Sequence, residues 1–403
     1  LKTSDTNLKV QETLIRLGDQ PLANGFKTNR GDLTPKFKLS YGVDEETGLL
    51  TQIRTPSIEN MFNDSYPYVS SGSKVMVEHF KKAAEYCSAT LGKEKKNILE
   101  IGSNDGVFVK NFSTDEAVCV EPCGNFAKIT SDLGYKTYNK FWNIETATEL
   151  LEEHGKFNYI YSANCMCHIP DIVQAFAAVS ICLKKGGVFV FEDPSVLSMI
   201  NNNSFDQLYD EHVHMFSPSA VANLLDKVGL TIYMVKHFKD IHGGSNRYYV
   251  IHKDTMFALD RSVNKALEDE EQVFRHGIKK TYREFNTNIS KNAELLKTLI
   301  TSLSRTRGQI VIGYGATSKL TTILNYCEIT SPQDIKYVLD TTPEKIGKLY
   351  PGTNIHIKKY QEDSLKDVGY ALLGAWNFKD HILEKESKAP TSFITHVPYV
   401  TIL

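Results

Sequence analysis

The sequence predicts an α/β protein with two doubly wound units, and three observations predict it. Between about residues 76 and 235, strand-like apolar runs alternate with helix-like runs, the pattern of parallel βαβ units. A second strand, glycine turn and helix follow at "GQIVIGYGATSKLTTILNYC", residues 308–327. The 403 residues are too many for one ordinary core, and 41% hydrophobic with 23% charged is a globular composition.

Residues 1–75 are polar and turn-rich, with "QPLANGF" and "DSYPYVSSGS", and predict a small N-terminal lobe. The first α/β unit is expected over 76–260. It opens on a helix at "KVMVEHFKKAAEY", then a strand at "NILEIG" followed by a helix. Next come a strand at "AVCVEP", a helix, a strand at "FNYIYSAN" and a helix at "PDIVQAFAAVSICL". "KKGGVFVFEDP" predicts a helix end with glycine in the left-handed cap, then a buried strand. Residues 261–305 hold helical spacing without proline and predict one long linking helix. Residues 306–403 are the second α/β unit, with "IKYVLD" and "YALLGAW" as further buried strands.

Charge and cysteine content exclude several classes. Lys and Arg number 46 against 48 Asp and Glu, so no basic excess calls for nucleic acid and a small-molecule partner is expected. No apolar run approaches the ~18 residues that span a bilayer, and no signal-peptide pattern is present, so the expectation is a cytoplasmic protein. The seven cysteines form no C-x-x-C pair, which predicts reduced thiols, with no disulfide framework and no evident zinc site. A monomer or small homo-oligomer is expected.

The first glycine turn, "EIGSNDGVF" at 100–108, departs from the G-x-G-x-x-G of a pyrophosphate site. Gly102 and Gly106 flank Ser103, Asn104 and Asp105, and Glu100 stands on the strand before them. Such a turn suits a positively charged ligand with an amino-acid portion and no phosphate, and S-adenosylmethionine is one. Glu121 ends the next strand, 19 residues after Gly102, where an acid bonds both ribose hydroxyls. Asn164 ends a later strand at the same edge.

The second turn carries Gly313, Tyr314, Gly315 and Lys319, with Asp340 after the next strand. Amides at a helix start beside a lysine make an anion site, so a nucleotide-bearing acceptor is expected there. "HGGSNR", with Gly243, Gly244, Ser245 and Arg247, is a candidate phosphate loop or a tight hairpin. Proton-transfer groups cluster in "YDEHVHMFS", with Tyr209, Glu211, His212 and His214. His168 of "CHIPD" and Tyr66 and Tyr68 of "YPYVSS" add to them. "EHVH" has the spacing of a metal-ligand pair, and the sequence nominates no third ligand.

With these motifs in order, the chain resembles the nucleotide-sugar C-methyltransferases that make branched-chain deoxysugars. The residues that carry the resemblance are "LGDQPLANGF", "YPYVSSGS", "EIGSNDGVF", "VEP", "CHIPD", "YDEHVHMFS", "GGSNR", "GYGATSKLTTILNYC", "PGTNIHI" and "AWNF". The resemblance implies a small N-terminal zinc lobe, a class I methyltransferase domain binding S-adenosylmethionine, and a C-terminal pseudo-Rossmann domain for the nucleotide-sugar. It implies catalytic roles for Tyr68, His168, Tyr209, Glu211 and His212. The chain departs from the family at the zinc ligands: where two C-x-x-C pairs are usual, residues 3–6 read "TSDT" and 44–47 read "DEET". Zinc wants thiolate in a structural site, so none is expected in this lobe.

The reaction expected is C-methylation beside a 4-keto group, at C3 of the sugar. His212, held by Glu211, removes the C3 proton. Tyr209, Tyr68 or His168 supplies donors to the enolate oxygen, and the carbon attacks the sulfonium methyl. Two other readings stand: O- or N-methylation of a sugar, and a non-catalytic nucleotide-sugar binding protein.

Overall fold

The computed structural model describes residues 3–5 (as backbone), 8–256 and 258–403. In the N-terminal lobe β1 (Thr3–Asp5) pairs with β5 (Arg54–Pro56). Beside them β2 (Ile15–Pro21), β3 (Lys36–Val43) and β4 (Leu50–Gln52) form an antiparallel meander. Residues 3–6 include a residue outside the described set and no described side chain, so that half of the expected zinc-site replacement lies outside the described residues.

The middle unit holds β6 (Ile98–Ile101), β7 (Ala117–Val120), β8 (Lys136–Tyr138), β9 (Phe157–Ala163) and β10 (Leu183–Pro194). After β10 the chain returns to the N-terminal lobe, where β11 (His214–Met215) pairs with β4. β12 (Leu230–Phe238) and β13 (Ser245–His252) complete a seven-stranded sheet in the order β12-β13-β10-β9-β6-β7-β8. All its pairings are parallel except those of β13, which is antiparallel to both neighbours. Strands β6, β7 and β9 are buried on both faces and read as continuous apolar runs for that reason. The order reverses between β6 and β9, the switch point where ligands sit beyond the strand ends.

The C-terminal unit is a six-stranded sheet. It holds β14 (Val311–Tyr314), β15 (Val338–Asp340), β16 (Ile357–Lys359), β17 (Tyr370–Leu373), β18 (Ser392–Thr395) and β19 (Thr401–Ile402), ordered β16-β15-β14-β17-β18-β19. Only the β18–β19 pair in it is antiparallel.

Three local expectations change. The linker is two helices, Arg261–Val273 and Ile278–Thr301, separated where Gly277 takes φ +95°. No α-helix follows the first glycine turn: turns lead into a short 3-10 segment at Val109–Asn111. Gly186 is left-handed as expected, but inside β10, where the pairing with β9 shifts register between Leu183 and Val188.

One buried cluster joins the outer units. Leu17, Leu39 and Tyr41 of the lobe, Phe285 and Ile289 of the long helix, and Leu320 and Ile323 of the C-terminal unit belong to the same core. The segment 205–216 runs between that core and the seven-stranded sheet, so its placement depends on all three units.

Candidate active site

A cleft opens beyond the carboxyl ends of β6, β7 and β9. Gly102, Asn104, Glu121, Asn164 and Cys165 line its strand side; Tyr66, Tyr68 and His168 line the other. Gly102 takes φ +74°, and a Cβ there would stand 2.7 Å from Cys165 Sγ, so only glycine fits. Glu121 is buried beneath the turn: Oε2 accepts from Asn104 N–H at 2.7 Å and Oε1 from Cys123 N–H at 2.9 Å. Burial raises its carboxyl above the usual range, against those two amides. Asn104 donates to Tyr68 O at 3.0 Å and accepts from Ser70 N–H at 2.9 Å, which ties the "YPYVSS" segment over the turn.

Two cofactor expectations change. Glu100 does not line the cleft; it is 3% exposed under the loop, and burial pushes its carboxyl well up. Gly106 is buried against Thr130 and serves packing. A larger hollow of about 760 Å³ lies between β12 and the two linker helices, away from the strand ends, and none of the predicted site residues lines it.

The acid–base groups form two tyrosine-headed pairs. Tyr209 hydroxyl and His212 Nε2 are 2.7 Å apart, and His212 Nδ1 is 2.7 Å from the Gln207 carbonyl. A carbonyl only accepts, so Nδ1 carries the proton and Nε2 accepts from the phenol. Burial, with His168 beside it, holds His212 well below the ordinary imidazole value. In the second pair Tyr66 donates to Glu211 Oε2 at 2.8 Å, while Asn24 donates to Oε1 at 2.6 Å. Burial pushes Glu211 up to about 7. The expectation that Glu211 holds His212 is therefore corrected: neighbours in sequence diverge, and Glu211 faces Tyr66 and Asn24 instead. His168 lies between, its ring 5.4 Å from His212 and 5.3 Å from Phe62, with Nε2 buried and unpartnered. Burial brings His168 down to about 3. His214 leaves this cluster; as part of β11 it donates to the Ile169 and Pro170 carbonyls.

The loop is held by distant side chains. Gln52 Nε2 reaches the Tyr209, Asp210 and His212 carbonyls at 2.9, 3.0 and 3.2 Å, and Tyr41 hydroxyl the His212 carbonyl at 2.7 Å. Asp210 accepts from Ala23 N–H at 2.8 Å, and Thr322 donates to Leu208 O at 3.1 Å. Sequence reasoning passed over Asn24, Gln52 and Gln207. Asn24 alone had a signal, the Asn-Gly turn inside "QPLANGF".

The acceptor-side expectations change most. Lys319 is buried; its Nζ donates to His242 O at 2.9 Å and lies 5.5 Å from the Trp376 ring centre. Burial lowers its ammonium to about 8, against Asp206. Asp340 braces its own turn, accepting from Ala316 N–H at 2.5 Å and Thr342 N–H at 2.7 Å. Tyr314 donates to Glu386 Oε1 at 2.7 Å. Arg247 is buried on β13, its Nε 2.7 Å from Glu192 Oε2 and its Nη2 2.9 Å from His79 Nε2. Ser245 is also buried, donating to Ile241 O at 3.2 Å. "HGGSNR" is a hairpin packed on the C-terminal unit: a Cβ on Gly243 would stand 2.5 Å from Trp376.

The implied zinc site does not fit residues 44–47. Asp44 Oδ1 accepts from Lys9 N–H at 2.8 Å, and Oδ2 from Thr47 N–H and Oγ1 at 2.9 and 2.6 Å. Hydrogen bonds close the turn that thiolates would otherwise hold.

Fold and cleft define an S-adenosylmethionine-dependent methyltransferase. Residues 76–235 match the family model described as a methyltransferase domain. Residues 240–398 match the family model described as C-methyltransferase C-terminal domain. C-methyltransferase NovU of Streptomyces niveus is 29% identical over 383 residues, 93% of this chain and 89% of that protein. An S-adenosylmethionine-dependent methyltransferase from Clostridium acetobutylicum is 17% identical over 43% of this chain and 92% of its own, with TM-score 0.34. Another from Anabaena variabilis is 14% identical over 44% and 85%, with TM-score 0.36. Among the described residues, no helix is long and apolar enough to cross a membrane.

Proposed function

We propose that the protein methylates carbon C3 of a nucleotide-linked 4-keto-deoxysugar through an enolate. The observation that carries this is the pairing of Tyr209 with His212 Nε2 beside a cleft at the methyl-donor edge of the sheet. Methylation of an oxygen or nitrogen asks for less acid–base equipment than a carbon acid does.

In this reading the adenosine ribose donates to the free lone pairs of Glu121, and the amino-acid end lies over Gly102. The sugar lies against Tyr68, His168 and Tyr209. The nucleotide is carried by the C-terminal unit. The start of its helix Ser318–Tyr326 reaches the same junction, Ser318 hydroxyl donating to Asn24 Oδ1 at 3.2 Å. His212 accepts the C3 proton on Nε2, directly or through the Tyr209 hydroxyl. The C3–H electron pair becomes the enolate, whose oxygen takes a hydrogen bond from Tyr68 or Tyr209. The enolate carbon then forms the new bond to the methyl group, and the sulfur leaves with the old bonding pair. Holding both reactants in one cleft supplies the proximity. The N-terminal lobe holds no zinc.

Incubation with S-adenosylmethionine and a thymidine-linked 4-keto-deoxysugar tests the reading. The product is expected to show a new methyl on C3 by NMR; a methyl on oxygen or nitrogen overturns it.

One observation favours a second assignment of the base: burial pushes the Glu211 carboxyl up to about 7, near neutral pH, and its partner Tyr66 lines the cleft. If Glu211 is the base, kcat/KM falls as pH drops through about 7, and Glu211→Gln abolishes turnover. If His212 is the base, Glu211→Gln retains C3 proton exchange.

A further inference from the structure

The sequence offered "EHVH" as a ligand pair, and the structure breaks that pair while assembling a different set. Cys167, His168 and His212 present one ligand atom each, all within 4.8 Å of one another. Two of the three residues are buried, and the third, His168, has Nε2 buried without a partner. We propose that Cys167 Sγ, His168 Nε2 and His212 Nε2 form a Zn²⁺ site in the floor of the catalytic cleft, and that zinc there is a reversible inhibitor.

The donor set is one thiolate and two imidazoles with a fourth position open, the combination zinc takes and magnesium or calcium refuses. The geometry agrees. Zn–N bonds are about 2.0–2.1 Å, so two imidazoles on one tetrahedral zinc stand about 5 Å apart, centre to centre. The two rings here are 5.4 Å apart with 21° between their planes. Closing 4.8 Å to a tetrahedral edge of about 3.5 Å takes small side-chain rotations rather than backbone movement. On His212 the ligand is Nε2, because Nδ1 is turned to the Gln207 carbonyl, which fixes the ring as a second-shell partner does. Entry is from the cleft, which His168 lines. Binding releases the Cys167 thiol proton to solvent and displaces the Tyr209 hydroxyl from Nε2.

A lone pair given to zinc cannot take a proton from carbon. The inhibitory consequence rests on the assignment of His212 as base; the metal site does not. Asp44 is already satisfied by hydrogen bonds in the N-terminal lobe, so bound metal reports on the cleft.

The test uses the full chain, stripped with chelator and titrated with Co²⁺. One equivalent is expected to give tetrahedral cobalt bands and a thiolate-to-cobalt charge-transfer band. Cys167→Ser is expected to lose the charge-transfer band, and Cys165→Ser to keep it. His168→Asn is expected to weaken binding by at least the roughly 10–100-fold that loss of an outer-shell partner costs. A far-ultraviolet circular dichroism spectrum and a melting temperature like those of the wild type show that each variant is folded. Absence of the band in the wild type, or its survival in Cys167→Ser, overturns the site whatever the acceptor proves to be. Added Zn²⁺ is expected to displace cobalt and to stop methyl transfer in step with occupancy. Full occupancy with undiminished methyl transfer overturns the inhibitory role and removes His212 as base.

Discussion

In the first glycine turn Gly102 N–H donates to Val120 O at 2.8 Å, and Glu121, the next residue, takes the amides of Asn104 and Cys123. In the second, Gly315 N–H donates to Leu339 O at 2.8 Å, and Asp340 takes the amides of Ala316 and Thr342. The brace is the same: glycine amide to the strand, then an acid joining the turn to the residue two places on. The surroundings differ. Beyond the first turn lies a cleft lined by Gly102, Asn104 and Glu121. The second turn is covered: Lys345 Nζ donates to Ala316 O at 2.8 Å, Tyr350 hydroxyl to Thr317 O, and Ala375 packs 3.3 Å from where a Gly315 Cβ would be. A strand, a glycine turn and a following acid therefore specify a braced turn. Whether the turn also holds a ligand depends on what the rest of the chain stacks against it.

The largest effects belong to the open cleft. His212→Asn should keep S-adenosylmethionine bound and cut turnover by roughly 10²–10⁴, as steady-state kinetics would show. Glu121→Ala should weaken S-adenosylmethionine by about ten- to a hundredfold in calorimetry, since a charge-assisted bond is worth roughly 1.5–3 kcal/mol. Unchanged affinity would place the nucleoside elsewhere. Asp340→Ala is the matched control: donor affinity should hold, while two orphaned amides lower stability by about 1–3 kcal/mol in denaturant unfolding. A donor affinity that fell with Asp340 would erase the distinction between the turns.

Lys319→Ala separates a structural role from a phosphate-binding one. The structure makes this lysine a brace between units, so the melting temperature should drop with donor affinity unchanged. A raised acceptor KM without that drop would reinstate it as a phosphate ligand. The smallest effect concerns Glu211. Burial raises its carboxyl to about 7, so the fold favours the neutral form. That stabilisation is full below the ordinary carboxylate value and is lost as pH rises through about 7. Against Glu211→Gln, which cannot ionise, the wild type should lose melting temperature across that window; a gap that widened toward acid would have the wrong sign.

The alternating units were legible because β6, β7, β9 and β14 are short apolar runs bounded by turn residues. The break at Gly277 was not, because "RHGI" sits inside an unbroken helical period. β11 was invisible because its two residues pair with β4, far away in sequence. The site divides the same way. Gly102, Glu121, His168, Tyr209 and His212 were readable as motif residues, and the structure brings them to one region. Lys319, Asp340, Arg247 and Ser245 were equally readable as types, yet the fold takes each up: Lys319 with the His242 carbonyl of the middle unit, Arg247 with Glu192 and His79 beside it, Ser245 with the Ile241 carbonyl of its own hairpin, and Asp340 with its own turn. Glu211 shows the limit most clearly: its adjacency to His212 suggested a pair, whereas its actual partner Asn24 is 187 positions away.

Proton removal from carbon by the Tyr209–His212 pair is the step on which C-methylation depends. Solvent-deuterium exchange at C3 of the nucleotide-linked 4-keto-deoxysugar, followed by NMR without methyl donor, tests it most directly. Wild-type protein should incorporate deuterium at C3 and His212→Asn should not. Exchange that persists in the variant would contradict His212 as base, and absence of exchange in the wild type, with the methyl group found on oxygen or nitrogen, would contradict the enolate altogether.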